Sequence, residues 1–192
     1  MSDPARPPAE EALDFTHPDT ARAPEPTPQQ VESARQEAAT GTPQLEVAGF
    51  YVSIARHSEF RIPPQTGDKY VVLVVEDDAD LAQLLIDIFT LAGFLVRWAS
   101  NRAEINAELN HKPAVDLVLM DIVLPDANGL EILQCIRAHP RLATLPVIMM
   151  TGKTAAADVQ AGLAAGADGY VTKPFKMSGL VKAVNVVLGN LQ

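Results

Sequence analysis

From Tyr70 onward the chain alternates between two hydrophobic periods. Continuous apolar runs at 70–75, 94–99, 114–120, 147–150 and 169–172 are short and bounded by polar, Gly or Pro positions, as expected of strands covered on both faces. Between them, apolar residues recur three and four apart. Leu81, Leu84, Leu85 and Ile88 predict a helix over 79–91 that Asp78 caps and Gly93 ends. Ser100 or Asn101 starts a short helix to about 110, with Glu104 completing a capping box and Pro113 breaking it. A third helix covers 129–138, with Leu130, Leu133 and Ile136 inward. An Ala-rich helix spans 155–165, and a last one, capped by Ser178, runs to about 188 on Leu180, Val181, Val184 and Val187. Five strands alternating with five helices predict an α/β fold, a doubly wound parallel sheet.

Before Tyr70 no such period exists. Residues 1–44 hold eight of the chain's 15 prolines among many Ala, Glu, Thr and Gln. That composition buries too little apolar surface to offset chain entropy, so this tail is expected to be largely disordered, with one short helix possible after Thr27-Pro28. Residues 45–69 form an extended arm and linker, with Leu45, Val47, Phe50, Val52 and Ile54 followed by Pro63-Pro64 and Gly67-Asp68. The arm reads as docked on the domain, the alternatives being a small hairpin or a peptide for a partner. Residues 70–192 are the regular domain.

Charge narrows the partners. The chain is 192 residues long with a formal net charge of −9, and both the tail and the domain are acidic. No basic patch is available for a nucleic-acid backbone, so direct nucleic-acid binding is not expected. Cys135 is the single cysteine, which excludes an intrachain disulfide and reads as a small core residue. No apolar run approaches the length of a membrane helix, and the start is no secretory signal, which predicts a cytoplasmic protein without membrane insertion. The four histidines show no metal spacing, and Trp98 is expected to pack at the second strand.

Candidate chemistry gathers at strand ends. Glu76-Asp77-Asp78 follows the first strand, Asp121 the third, Thr151 the fourth and Lys173 the fifth. Doubly wound sheets bind ligands at the carboxyl ends of their strands. Converging carboxylates repel unless a cation stands among them, and a hard dication such as Mg²⁺ suits an all-oxygen set. A carboxylate beside such an ion can accept a phosphoryl group, with a lysine amine and a threonine hydroxyl to hold its oxygens. Singly, each group has a plainer reading: an acidic first helical turn, a Lys-Pro turn, a strand-end threonine. The set carries the inference.

Those residues carry a resemblance. The chain from 70 to 192 resembles the receiver domain of bacterial two-component response regulators, through Glu76-Asp77, Asp121 in Leu119-Met120-Asp121-Ile122-Val123-Leu124-Pro125, Thr151 in Met150-Thr151-Gly152, and Lys173 in Lys173-Pro174-Phe175. The resemblance implies a flavodoxin-like strand order 2-1-3-4-5 and Asp121 as phosphoacceptor. It implies Mg²⁺ held by Glu76, Asp77, Asp121 and the backbone carbonyl of Val123. Thr151 and Tyr170 become the switch pair, and Lys173 the phosphoryl-binding amine. The donor is then a sensor histidine kinase or a histidine phosphotransfer protein. A downstream protein target docks at the face made by the helix 155–165, the fifth strand and the last helix. Ala127 stands where a larger apolar residue is common, and Val123 and Lys153 occupy the variable positions two beyond Asp121 and Thr151. Val123 cannot orient a water, so a long-lived aspartyl phosphate is expected.

The expected function is therefore a phosphorylation-dependent signalling switch. It is no enzyme in the ordinary sense, though it assists its own phosphorylation and dephosphorylation. Only Asn190-Leu191-Gln192 follows the last helix, so no output domain of its own is expected there. Alternatives are a phosphorelay intermediate that passes the group to a histidine phosphotransfer protein, and an aspartyl-phosphate phosphohydrolase. The latter wants an acid two residues past the nucleophile, where Val123 stands. A flavin-binding reading fails because Glu76-Asp77-Asp78 would repel a phosphate. A degenerate receiver is disfavoured because all five site positions are retained.

Overall fold

The computed structural model describes residues 62–65, 67–152 and 162–190. Four of its five strands are buried along their whole length: β1 Val71–Val75, β3 Leu117–Asp121, β4 Val147–Thr151 and β5 Gly169–Thr172. The remaining strand, β2 Leu95–Ala99, is partly exposed because it forms one edge of the sheet. All pairs are parallel in the order β2-β1-β3-β4-β5, as the resemblance implied.

Period-two alternation along each strand sends neighbouring side chains to opposite faces and creates two cores. On one face Leu73, Val75, Val118, Met120, Met149 and Tyr170 pack under helices α2 Arg102–Asn110 and α3 Gly129–Ala138. On the other, Val72, Val74, Leu119, Ile148, Met150 and Val171 pack under α1 Ala79–Leu91 and α4 Met177–Val187. Residues 162–164 are helical, and the rest of the expected 155–165 helix lies outside the described residues, as do the tail and arm up to residue 61.

Caps set where the helices begin. Asp78 accepts hydrogen bonds from the Asp80 and Leu81 amides, and Asn128 from that of Leu130. Asn101 accepts from the Glu104 amide, while the Glu104 carboxylate accepts from the Ser100 amide and hydroxyl. Ser178 is not the last cap. Met177 packs on the core and starts α4 earlier, from Lys176, leaving Ser178 exposed within the helix. α1 is also rotated from expectation: Ala82, Leu85 and Phe89 are buried, while Leu84 is exposed. The cause is Phe89, whose ring meets Phe94 edge-on at 5.6 Å and turns that stripe inward.

Ile62, Gln65 and Tyr70, just before β1, dock at the amino ends of the strands. The Ile62 amide donates to the Leu188 carbonyl (3.0 Å), and the Tyr70 hydroxyl to that of Ile62 (2.5 Å). The Gln65 amide donates to Asp116 (2.8 Å), whose other oxygen receives the Val71 amide (2.7 Å). These contacts lie at the end of the sheet away from the clustered acids.

Candidate functional site

Four of the five strands deliver candidate groups at the carboxyl edge of the sheet: β1, β3, β4 and β5. β1 hands the chain to Glu76, whose amide donates to the Ala99 carbonyl (3.1 Å) and whose carbonyl accepts from the Trp98 indole (2.8 Å). Asp78 then caps α1, so Asp77 is held between two anchored residues and is itself exposed. Asp121 is the last residue of β3 and is buried, with the Val123 amide donating to its Oδ1 at 3.1 Å. Carboxylate oxygens of Glu76, Asp77 and Asp121 all lie within 4.8 Å of one another.

The loop after Asp121 is tight. The Gly129 amide donates to the Ile122 carbonyl at 2.8 Å, and a Cβ at Gly129 would stand 2.2 Å from the Asp121 carbonyl oxygen. Only glycine lets α3 start so close to the strand. The loop is also tied outward, because Asp126 accepts the Arg102 amide at 3.1 and 3.2 Å. Val123 is exposed.

Lys173 completes the cluster from β5. Its amide donates to the Thr151 carbonyl at 2.6 Å, and the Lys173–Pro174 peptide is cis. Its Nζ donates to Glu76 Oε2 at 2.7 Å and Asp121 Oδ2 at 2.6 Å. Burial pushes the Glu76 carboxyl above the ordinary value, only partly opposed by Lys173. Burial also works to lower Lys173, but its hydrogen bonds and charge pairing with Asp121 and Glu76 outweigh this and hold the amine above its ordinary value. Glu76, Asp77, Asp121 and Lys173 are thus brought together.

Thr151 and Tyr170 stand behind that cluster. Thr151 ends β4, one residue past the partner of Asp121 in the register, and is buried. Tyr170 lies inside β5, fully buried against the α2–α3 core. A Cβ at Gly162 would come within 2.7 Å of the Tyr170 ring, so glycine there makes the room the ring occupies. Lys153 lies outside the described residues.

Two residues near the site were not picked out from the sequence as functional. Trp98 was expected to pack, yet it is 40% exposed and spends its indole N–H on the acid turn. Asp126 follows Pro125 in a turn, and that turn composition was its one signal.

The donor set fits a hard dication. Three carboxylates face one amine, all ligand atoms are oxygen, and one of the acids is open to solvent.

Comparison with known proteins agrees. The sequence pattern of the response regulator receiver domain matches residues 72–185. The transcriptional regulatory protein GltR of Pseudomonas aeruginosa is 37% identical over 121 residues, 63% of this chain and 50% of that protein. The DNA-binding response regulator MtrA of Mycobacterium tuberculosis is 38% identical over 118 residues, 61% of this chain and 50% of that one. The chain spans about half the length of these relatives. Among solved structures, a response regulator from Chloroflexus aurantiacus superposes with a TM-score of 0.59 at 32% identity, covering 63% of this chain and 98% of that one. The Vibrio cholerae chemotaxis protein CheY4 does so at 0.58 and 28%, covering 62% and 98%.

Proposed function

The chain belongs to the response regulator receiver family, and from that premise we propose that it is a phosphorylation-dependent switch whose phosphoacceptor is Asp121. The observation that carries this reading is the Lys173 amine bridging Glu76 and Asp121, with Asp77 completing an acidic triangle. The donor is a histidine kinase or a histidine phosphotransfer protein. An Asp121 oxygen attacks the phosphorus of the donor phosphohistidine in line. The O–P bond forms, the P–N bond breaks, and the electron pair stays on the imidazole nitrogen.

Glu76, Asp77, Asp121 and the Val123 carbonyl would hold Mg²⁺, which supplies charge neutralisation for the phosphoryl oxygens. Lys173 exchanges its bond with Asp121 for one to a phosphoryl oxygen, a move suited to a point charge on a flexible stem. Thr151, on the adjacent strand end, donates its hydroxyl to another. Tyr170 lies in the same core as Leu163, next to Gly162, where a change at Thr151 reaches the surface around β5. Output then passes through protein contact at the face built by residues 162–164, β5 and α4. The DNA binding in the name of MtrA is a property of a protein of which this chain spans half. The chain's own net charge of −9 favours protein partners over a phosphate backbone. A cytoplasmic location follows from the proposed donor; among the described residues no helix is long and apolar enough to cross a membrane.

The test is incubation of the full chain with Mg²⁺ and acetyl phosphate, read by intact mass. One phosphoryl group should add to the wild type and none to Asp121→Asn. An unlabelled wild type, or equal labelling of Asp121→Asn, overturns the reading.

A further inference from the structure

We infer that Trp98 is a positioning residue for the acid pair, fixing through the Glu76 carbonyl where Glu76 and Asp77 stand. The inference rests on the proposed metal-binding role of those acids. In the register, Trp98 pairs with Val74 and Ala99 with Val75, so Glu76 is the first residue of β1's path beyond the ladder. There, β2 still holds both of its backbone groups: the Glu76 amide donates to Ala99 and the Glu76 carbonyl accepts from the Trp98 indole. Asp78 pins the far side of the turn through the Asp80 and Leu81 amides. Asp77 spans the interval, and the orientation of the Glu76–Asp77 peptide is set by the indole.

Packing alone does not explain an indole at this place. Trp98 is 40% exposed on an edge strand, where much of its burial is forfeited, while its one polar atom is fully used on the acid turn. The turn needs such a restraint. Glu76, Asp77 and Asp121 present their oxygens within 4.8 Å of one another, and mutual repulsion drives the more exposed side of the triangle outward. A donor on the Glu76 carbonyl opposes that motion without adding a charge that competes with the ion.

The experiment is a calorimetric Mg²⁺ titration of the full chain as wild type, Trp98→Phe and Leu95→Ala. Phenylalanine keeps a ring and removes the donor; Leu95 is exposed on the same edge strand. Trp98→Phe should bind Mg²⁺ roughly 2- to 10-fold more weakly, the span expected for one net hydrogen bond. Leu95→Ala should bind as the wild type does. Unchanged affinity in Trp98→Phe, or the same loss in Leu95→Ala, overturns the role of Trp98 alone. A wild type that binds no Mg²⁺ overturns it together with the reading of the site.

Trp98 is the chain's single tryptophan, so the unsubstituted protein offers a second measurement that does not depend on the variant folding. Its emission should change on adding Mg²⁺ with the midpoint found by calorimetry, and Asp77→Asn should abolish the change. Emission indifferent to bound Mg²⁺ refutes the coupling.

Discussion

Replacing Lys173 by methionine isolates the electrostatics of the cluster. The variant keeps the length and apolar stem of the side chain and removes a cation that contacts both Glu76 and Asp121. Two carboxylates then face each other uncompensated. Their nearest oxygens lie within 4.8 Å, and at that outer distance with an effective dielectric of about 20 two unit charges repel by roughly 3.5 kcal/mol. The Lys173 side chain is 23% exposed, so water that enters in its place screens part of this, and about 2–3 kcal/mol of destabilisation is expected. For a domain of this size that corresponds to a fall of roughly 8–12 °C in Tm.

Urea unfolding at neutral pH in chelator measures the loss, and the pH dependence identifies its source. The Glu76 carboxyl is already raised by burial, and without the lysine it rises further. A raised carboxyl favours the folded state when protonated, so the variant's deficit shrinks as pH falls through that raised value. Lys173 is held above its ordinary value, so its stabilisation is full below the ordinary lysine pKa and is lost as pH rises through the elevated one. The gap between wild type and variant should therefore be widest near neutrality and close in both directions. Mg²⁺ should restore the variant by more than it stabilises the wild type. A gap that is flat in pH and blind to Mg²⁺ would show that the bridge is packing and refute the electrostatic account.

Other substitutions test separate parts of the arrangement. Gly129→Ala forces a Cβ against the Asp121 carbonyl, a backbone atom that cannot step aside; it should cost about 3 kcal/mol in urea unfolding and slow acetyl-phosphate labelling. Gly162→Ala meets the Tyr170 ring instead, which can shift; about 1–2 kcal/mol is expected, with an altered Tyr170 environment in aromatic NMR spectra. Asp116→Asn replaces one of two oxygens that each accept a backbone amide, sets an N–H donor against that amide, and should destabilise by about 1–3 kcal/mol. Asp121→Asn should cost less, because it also relieves repulsion with Glu76 and Asp77, and the reverse order in unfolding midpoints would count against this picture. The Val123 side chain has no polar group to orient a water, so the phosphorylated chain should persist well beyond seconds in a timed mass measurement.

What was legible in the sequence follows from how local its cause is. The buried strands announce themselves because both faces must be apolar; Asp78 announces one helix start, and Ser100-Asn101 narrows another to two residues, of which Asn101 is the cap, because capping is settled within three residues. Leu84 misled because α1 carries two apolar stripes, and only the contact of Phe89 with Phe94 beyond the turn selects between them. Ser178 looked like a cap because nothing nearby shows that Met177 is drawn to the core. The grouping of Glu76, Asp121 and Lys173 depends on strand order, which came from the family resemblance and not from periodicity. The bond from Trp98 to the Glu76 carbonyl depends on register at an edge, for which the sequence holds no sign.

Burial and residue type do not separate the proposed site acids from structural ones in this fold; the kind of partner does. Asp116 and Asp168 are as buried as Glu76 and Asp121. Asp116 accepts the Gln65 and Val71 amides, and Asp168 accepts the Val147 amide and the Arg137 guanidinium, which also donates to the Gly166 and Leu145 carbonyls. Those donors are backbone or a rigid planar fork, fixed by the sheet itself, so the carboxylates they hold cannot change partners without unfolding an edge. At the opposite end of the strands Glu76 and Asp121 share the amine of Lys173, with the Asp77 carboxylate beside them. Their charge is left incompletely balanced, and the amine that balances it can leave Asp121. The proposed phosphoacceptor role of Asp121 rests on this difference in partners, not on depth: the acids at one end of the sheet are braced by fixed donors, while the pair at the other end is balanced by an amine on a flexible stem.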